Sequence, residues 1–159
     1  MGFELRHDAK RWFKAFDKEI KQKTIILFDL YYFCLIPGFV TKRRNTEIHS
    51  DDVDEMTRDF PSVFRSRGEL LVGLLINTEL SRIGIDLKER TSVYSQISEL
   101  VITSPPYLSN EGIKRMNQYA HGGFDVLCER LDERPRSLET FVRKYCRLIQ
   151  DLKEDSLNY

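Results

Sequence analysis

Five cations in the first half of this chain are the residues best suited to hold phosphate: Lys42, Arg43 and Arg44 side by side, with Lys21 and Lys23 upstream. Adjacent cations on a loop can neutralise phosphate oxygens without reading base edges, so the chemistry they support is backbone contact rather than sequence recognition. They close a basic region, because residues 1–44 hold ten Lys and Arg against five Asp and Glu, a balance of +5. Residues 45–60 then carry Glu47, Asp51, Asp52, Asp54, Glu55 and Asp59 against Arg58 alone, a balance of −5. Two outcomes are open for the cluster: contact with double-stranded DNA, or pairing with the acidic segment of this subunit or another.

The other reactive residue types are dispersed. His7, His49 and His121 are isolated, and only His49 has acids nearby, in HSDDVDE. A histidine beside a solvated acidic run is expected to be surface, so no metal site is expected. No Ser-His-Asp order, Walker loop or paired carboxylate on an apolar helix is present, so catalytic residues are expected to be absent, as is a cofactor. The tetrapeptide Ser104-Pro105-Pro106-Tyr107 matches the SPPY motif of amino-group DNA methyltransferases. Such enzymes also need a glycine-rich loop after a strand and a parallel sheet that sets the motif at a strand end. Here the residues before Ser104 have helical spacing, and the motif is expected to be a Pro-Pro turn with Tyr107 and Leu108 packed inward.

These residues must be positioned by helices. Residues 3–22 place Phe3, Trp12, Phe13, Phe16 and Ile20 near helical spacing between lysines, which predicts an amphipathic N-terminal helix within residues 1–23. From Thr24 to Ile36 apolar residues surround the axis, and Pro37-Gly38 is expected to end or kink that helix. Ser50 or Asp51 could cap a short helix carrying Val53, Met56 and Phe60. Residues 68–83 set Leu70, Leu71, Leu74, Leu75, Thr78 and Ile83 at three-and-four spacing, with Gly84 as the stop. Residues 89–102 repeat the pattern. Leu108-Ser109 caps a helix through Ile113, Met116, Ala120, Phe124 and Leu127, in which Gly122-Gly123 point to close approach of another backbone. A last helix starts at Ser137, and residues 153–159 are expected to fray. Trp12, Phe13, Phe16 and Tyr31-Tyr32-Phe33 could stack on bases if exposed, but their spacing assigns them to the core. The fold class expected is all-α, a single bundle of six or seven helices over residues 1–159.

Composition sets further bounds. The chain has 159 residues, 41% hydrophobic, with 25 basic and 25 acidic side chains, so the molecule has no net field to draw in nucleic acid or membrane. Cys34, Cys128 and Cys146 are odd in number and widely spaced, which suits a reducing cytoplasm. The N-terminus has no apolar signal region, and the apolar run from Ile25 to Val40 is interrupted by Asp29 and too short for a membrane span.

The stretch from Gly68 to Val142 adds a resemblance. GELLVGLLINTEL (Gly68–Leu80), then IKRMNQYAHGGFDVL (Ile113–Leu127), then SLETFV (Ser137–Val142), after an apolar helix at Ile25–Ile36, is similar in order to the DndE family, small all-helical components of bacterial DNA phosphorothioation systems. The resemblance covers about half the chain. It implies an all-α homo-oligomer, a non-catalytic subunit of a sulfur-modification or phage-defence complex, with larger enzymatic subunits as partners and contact to DNA through lysines and arginines. The chain departs from that pattern by an N-terminal extension, an acidic insertion after the first buried helix, and neutral overall charge. The alternatives are a structural or adaptor subunit that binds a larger protein without DNA contact, and an SPPY-type methyltransferase-like enzyme.

Overall fold

The computed structural model describes residues 1–158. Seven α-helices lie among them: α1 (His7–Trp12), α2 (Asp17–Lys21), α3 (Leu27–Thr41), α4 (Arg65–Ile83), α5 (Arg90–Leu100), α6 (Asn110–Arg130) and α7 (Leu138–Leu157). Two strands, β1 (Phe3–Arg6) and β2 (Val53–Thr57), pair antiparallel, with Leu5 opposite Asp54 and Arg6 opposite Val53. The chain is therefore mostly helical but not purely all-α.

The centre of the fold is the crossing of α3 and α6. Backbone touches backbone there, because a Cβ at Gly123 would overlap the Cys34 carbonyl oxygen, and one at Gly38 would overlap that of Tyr119. A Cβ at Gly122 would likewise crowd the Arg43 carbonyl. The expected close approach at Gly122-Gly123 is thus met by α3 and the loop after it. Tyr31, Cys34, Leu35, Met116, Tyr119 and Leu127 fill the surrounding core. Phe141 of α7 stacks edge-on to Trp12, Phe13, Phe16 and Phe33, so the N-terminal aromatic residues are packing groups.

Several boundaries differ from the sequence expectation, each for a tertiary reason. Residues 3–22 are not one helix: Phe3 and Leu5 alternate inward on β1, and Phe3 packs against Phe28, Tyr31 and Phe60. Residues 53–57 are a strand rather than a helix, because β1 supplies the hydrogen-bonding edge that no local pattern announces. Pro37 neither ends nor breaks α3, which runs on to Thr41. Burial against α6 and α7 offsets the roughly 3 kcal/mol that an interior proline costs. Helix α7 continues through 153–157, where the sequence predicts fraying, with Leu152 buried and Arg130 reaching Asp155. Leu70 and Ile83 lie on the exposed side of α4, and Tyr107 is 42% exposed while Leu108 is buried.

The expected helix ends are met at three places. Gly84 caps α4 at φ 83°, and Ser109 and Ser137 accept from the backbone N–H of Gly112 and Thr140. No helix among the described residues is long and apolar enough to cross a membrane.

Candidate functional site

The five cations expected at a phosphate site do not form one patch. Lys21 and Lys23 precede the N-terminus of α3, whereas Lys42 caps its C-terminus at φ 57°. Fifteen helical residues, roughly 22 Å of rise, separate the two groups. All three lysines are exposed. Arg43 and Arg44 are paired within this chain, Arg43 at the surface and Arg44 partly buried, and not with the acidic 45–60 segment. Arg43 donates from both terminal nitrogens to Glu129, at 2.7 and 2.9 Å, which holds the Glu129 carboxyl below its ordinary value. Arg44 donates to Gln118 at 3.1 Å and lies 3.8 Å from Glu79. The acidic segment instead meets the N-terminus, where His7 and Lys10 both reach Asp54 at 3.1 Å.

Glu79 anchors an arginine cluster between α4, α6 and the loop after α3. Its side chain is 0% exposed, with Arg82 at 2.6 Å, Arg115 at 3.7 Å and Arg44 at 3.8 Å. Arg115 is engaged further by Glu111, Gln96 and Glu99. The Tyr119 phenol beside them is pushed up to about 12 by burial and by the Glu79 carboxylate, so it stays protonated.

Helix α6 also carries a polar ladder on its core side. Asn117 accepts from the Tyr31 hydroxyl at 2.8 Å and from the Glu4 N–H, and donates to the Gly2 carbonyl. Asp125 takes Arg6 at 2.8 Å and Asn45 at 2.8 Å, and the Arg6 guanidinium lies over the Phe124 ring. His121 sits between them at the edge of a polar cleft of about 140 Å³ with Glu4, Lys114 and Asn117. Burial, reinforced by Arg6, lowers its pKa to about 4, so the imidazole is neutral near pH 7. The Cys34 thiol is buried and pushed far up, which makes it a packing group. His49 is exposed, and no group of three or more His, Cys, Asp or Glu among the described residues could hold a metal ion.

A basic groove between the end of α6 and α7 has no counterpart in the sequence expectations. Two adjoining hollows of about 220 and 280 Å³ share Arg130, Leu131 and Lys144, and extend to Arg134 on one side and Arg147 on the other. Arg130 pairs with Asp155 and Arg136 with Glu133. No ion pair among the described residues engages Arg134, Lys144 or Arg147. A local charge count would have found the groove, since residues 130–147 hold six basic side chains against three acids.

The Ser104–Tyr107 segment links α5 to α6 and does not sit at the end of a parallel strand. It closes as a turn, with Tyr107 N–H donating to the Ser104 carbonyl at 2.7 Å. Pro105 and Tyr107 form one wall of a cleft of about 430 Å³ whose floor is Phe60 and Gly68.

No known family model, curated protein or solved structure matches this chain.

Proposed function

We propose that this chain is a non-catalytic accessory subunit of a DNA-modification or anti-phage complex, working in the cytoplasm and touching the backbone of duplex DNA. The DndE-like order of helices over residues 68–142 supports the class of system. The observation that carries the DNA contact is the set of cations Arg134, Lys144 and Arg147 along one groove, unpaired among the described residues. Free guanidinium and ammonium groups can displace counterions from phosphates, whereas Arg43 and Arg44 must first leave carboxylate or amide partners. Association with larger enzymatic subunits and with copies of itself is supported by the exposed side chains Leu70, Ile83, Leu87 and Tyr94.

The test is titration of a short duplex with the full chain over a range of salt. Arg134/Lys144/Arg147→Ala is expected to weaken binding across sequences and to reduce the salt slope by roughly 0.9 for each phosphate no longer neutralised. Undetectable affinity at low salt, or an unchanged slope in that variant, overturns the DNA contact. A second reading, an adaptor that binds a protein partner without DNA, is favoured by the internal pairing of Arg43 and Arg44 and by the exposed Asp51 and Asp52. Co-purification with neighbour-encoded proteins free of nucleic acid would support it.

A further inference from the structure

The cleft of about 430 Å³ beside the Ser104–Tyr107 turn combines aromatic rings with charges that nothing among the described residues neutralises. Arg65 and Glu69, exposed and one turn apart on α4, line it together with Asp59. Elsewhere the same spacing closes an ion pair: Glu111 holds Arg115 at 3.0 Å and Glu139 holds Arg143 at 2.6 Å. In those pairs the acid precedes the base, the favourable order on a helix. In α4 the base comes first, and neither Arg65 nor Glu69 has an ion-pair or hydrogen-bond partner among the described residues. Asp59 Oδ1 accepts from the Phe60 N–H at 2.7 Å, and its Oδ2 is without a partner among the described residues.

The backbone sets the apolar side of the cleft. Tyr107 sits at φ 67°, a left-handed conformation that a residue with a Cβ rarely adopts. Two hydrogen bonds hold it there: its N–H donates to the Ser104 carbonyl at 2.7 Å, and its carbonyl accepts from the Ile102 N–H at 3.2 Å. The turn leaves the Tyr107 ring 42% exposed beside Pro105, while the buried Phe60 ring closes the floor. We propose that this cleft binds a free aromatic α-amino acid. The planar fork of Arg65 takes the carboxylate of the ligand, Glu69 and the free oxygen of Asp59 take its ammonium group, and its ring lies against Tyr107 and Pro105 over Phe60. The charges disfavour simpler ligands. A plain anion such as phosphate meets two carboxylates, and a plain cation meets the arginine, whereas a zwitterion answers both. The end of a peptide carries only one of the two charges on its terminal residue, so the occupant is the free amino acid. The cleft shares no lining residue with the α6–α7 groove and does not depend on the DNA reading.

The test titrates the full chain with L-phenylalanine by calorimetry and ligand-observed NMR. Saturable binding in the millimolar range is expected. N-acetylphenylalanine, which lacks the ammonium group, and phenylalaninamide, which lacks the carboxylate, should each bind roughly tenfold more weakly. Arg65→Gln is expected to weaken L-phenylalanine roughly tenfold and leave phenylalaninamide unchanged, and Glu69→Gln to weaken L-phenylalanine and leave N-acetylphenylalanine unchanged. That crossed pattern assigns each charge to its end of the ligand. Both side chains are exposed and unpaired among the described residues, so the two variants should melt as wild type does. Tyr107→Gly removes the ring while glycine accepts the left-handed backbone, and saturation should be lost. Arg143→Gln, on α7, should bind as wild type does. Absence of saturation, equal affinity for L-phenylalanine and its two blocked forms, or affinity unchanged in both Arg65→Gln and Tyr107→Gly overturns the site. Duplex affinity is expected to stay at the wild-type level in all these variants, so the cleft and the groove fail separately.

Discussion

Gly123 of α6 lies so close beneath the carbonyl oxygen of Cys34 in α3 that a Cβ on it would overlap that oxygen and stand 2.7 Å from the Gly38 nitrogen. The obstacle is backbone, which cannot rotate away as a side chain can. Gly123→Ala must therefore push the two central helices apart, at an expected cost of about 3 kcal/mol or more. Gly73 of α4 has nothing within 4 Å of its would-be Cβ and is exposed. Gly73→Ala is expected to stabilise by about 0.5–1 kcal/mol through helix propensity alone. Urea unfolding of the two variants checks both signs. Equal effects would remove the backbone crossing as the centre of the fold.

Asn117 joins the N-terminal strand to the core by three hydrogen bonds, to Tyr31, Glu4 and Gly2. Asn117→Ala leaves the Tyr31 hydroxyl and two backbone groups without their partner, and stability should fall by about 2–4 kcal/mol. Amide exchange localises the effect. The Glu4 N–H is expected to lose protection first, while α7 stays protected.

His121 gives the fold a pH dependence whose sign follows from its depressed pKa. Burial and Arg6 lower it from 6.5 to about 4, so the unfolded chain binds a proton that the folded chain refuses. Stability is then complete above pH 6.5 and falls as pH drops toward about 4, by up to about 3 kcal/mol. Glu4 acts in the opposite direction near its ordinary 4.5, since burial and then Glu55 raise its pKa. The comparison is therefore made between about pH 7.5 and about pH 5. Wild type should lose stability over that interval. His121→Gln should lose little, and parallel curves for the two proteins would remove His121 as the cause.

Glu79→Leu strips the carboxylate from three arginines and is expected to cost about 3 kcal/mol or more, because their charges remain beside a closed core. Glu129→Ala breaks an exposed pair with Arg43, and a much smaller loss is expected. Thermal melts of both variants at low and high salt check this. The Glu129 effect should fade with salt and the Glu79 effect should persist.

The long helices are legible in the sequence because their signals are local. Three-and-four spacing marks α4 and α6, and Ser109, Ser137 and Gly84 mark ends that depend on one turn of backbone. Even the inner approach at Gly122-Gly123 is visible, since two glycines inside an apolar helix ask for a close neighbour. The strand Phe3–Arg6 is also present as alternation, FELR, but four residues beside an aromatic helix pattern are too short to outweigh it.

By itself the sequence determined that helices dominate, which aromatic residues build the core, and where the charges fall along the chain. Only the tertiary structure decided which charges remain available. Arg43 and Arg44 find Glu129, Gln118 and Glu79 across tens of residues of chain, while Arg134, Lys144 and Arg147 are left without carboxylates among the described residues. The pairing of β1 with β2, the passage of α3 through Pro37 and the burial of Glu79 belong to the same class. Each rests on a partner distant in sequence, and helical periodicity carries no information about which distant residue closes a bond or compensates a buried charge.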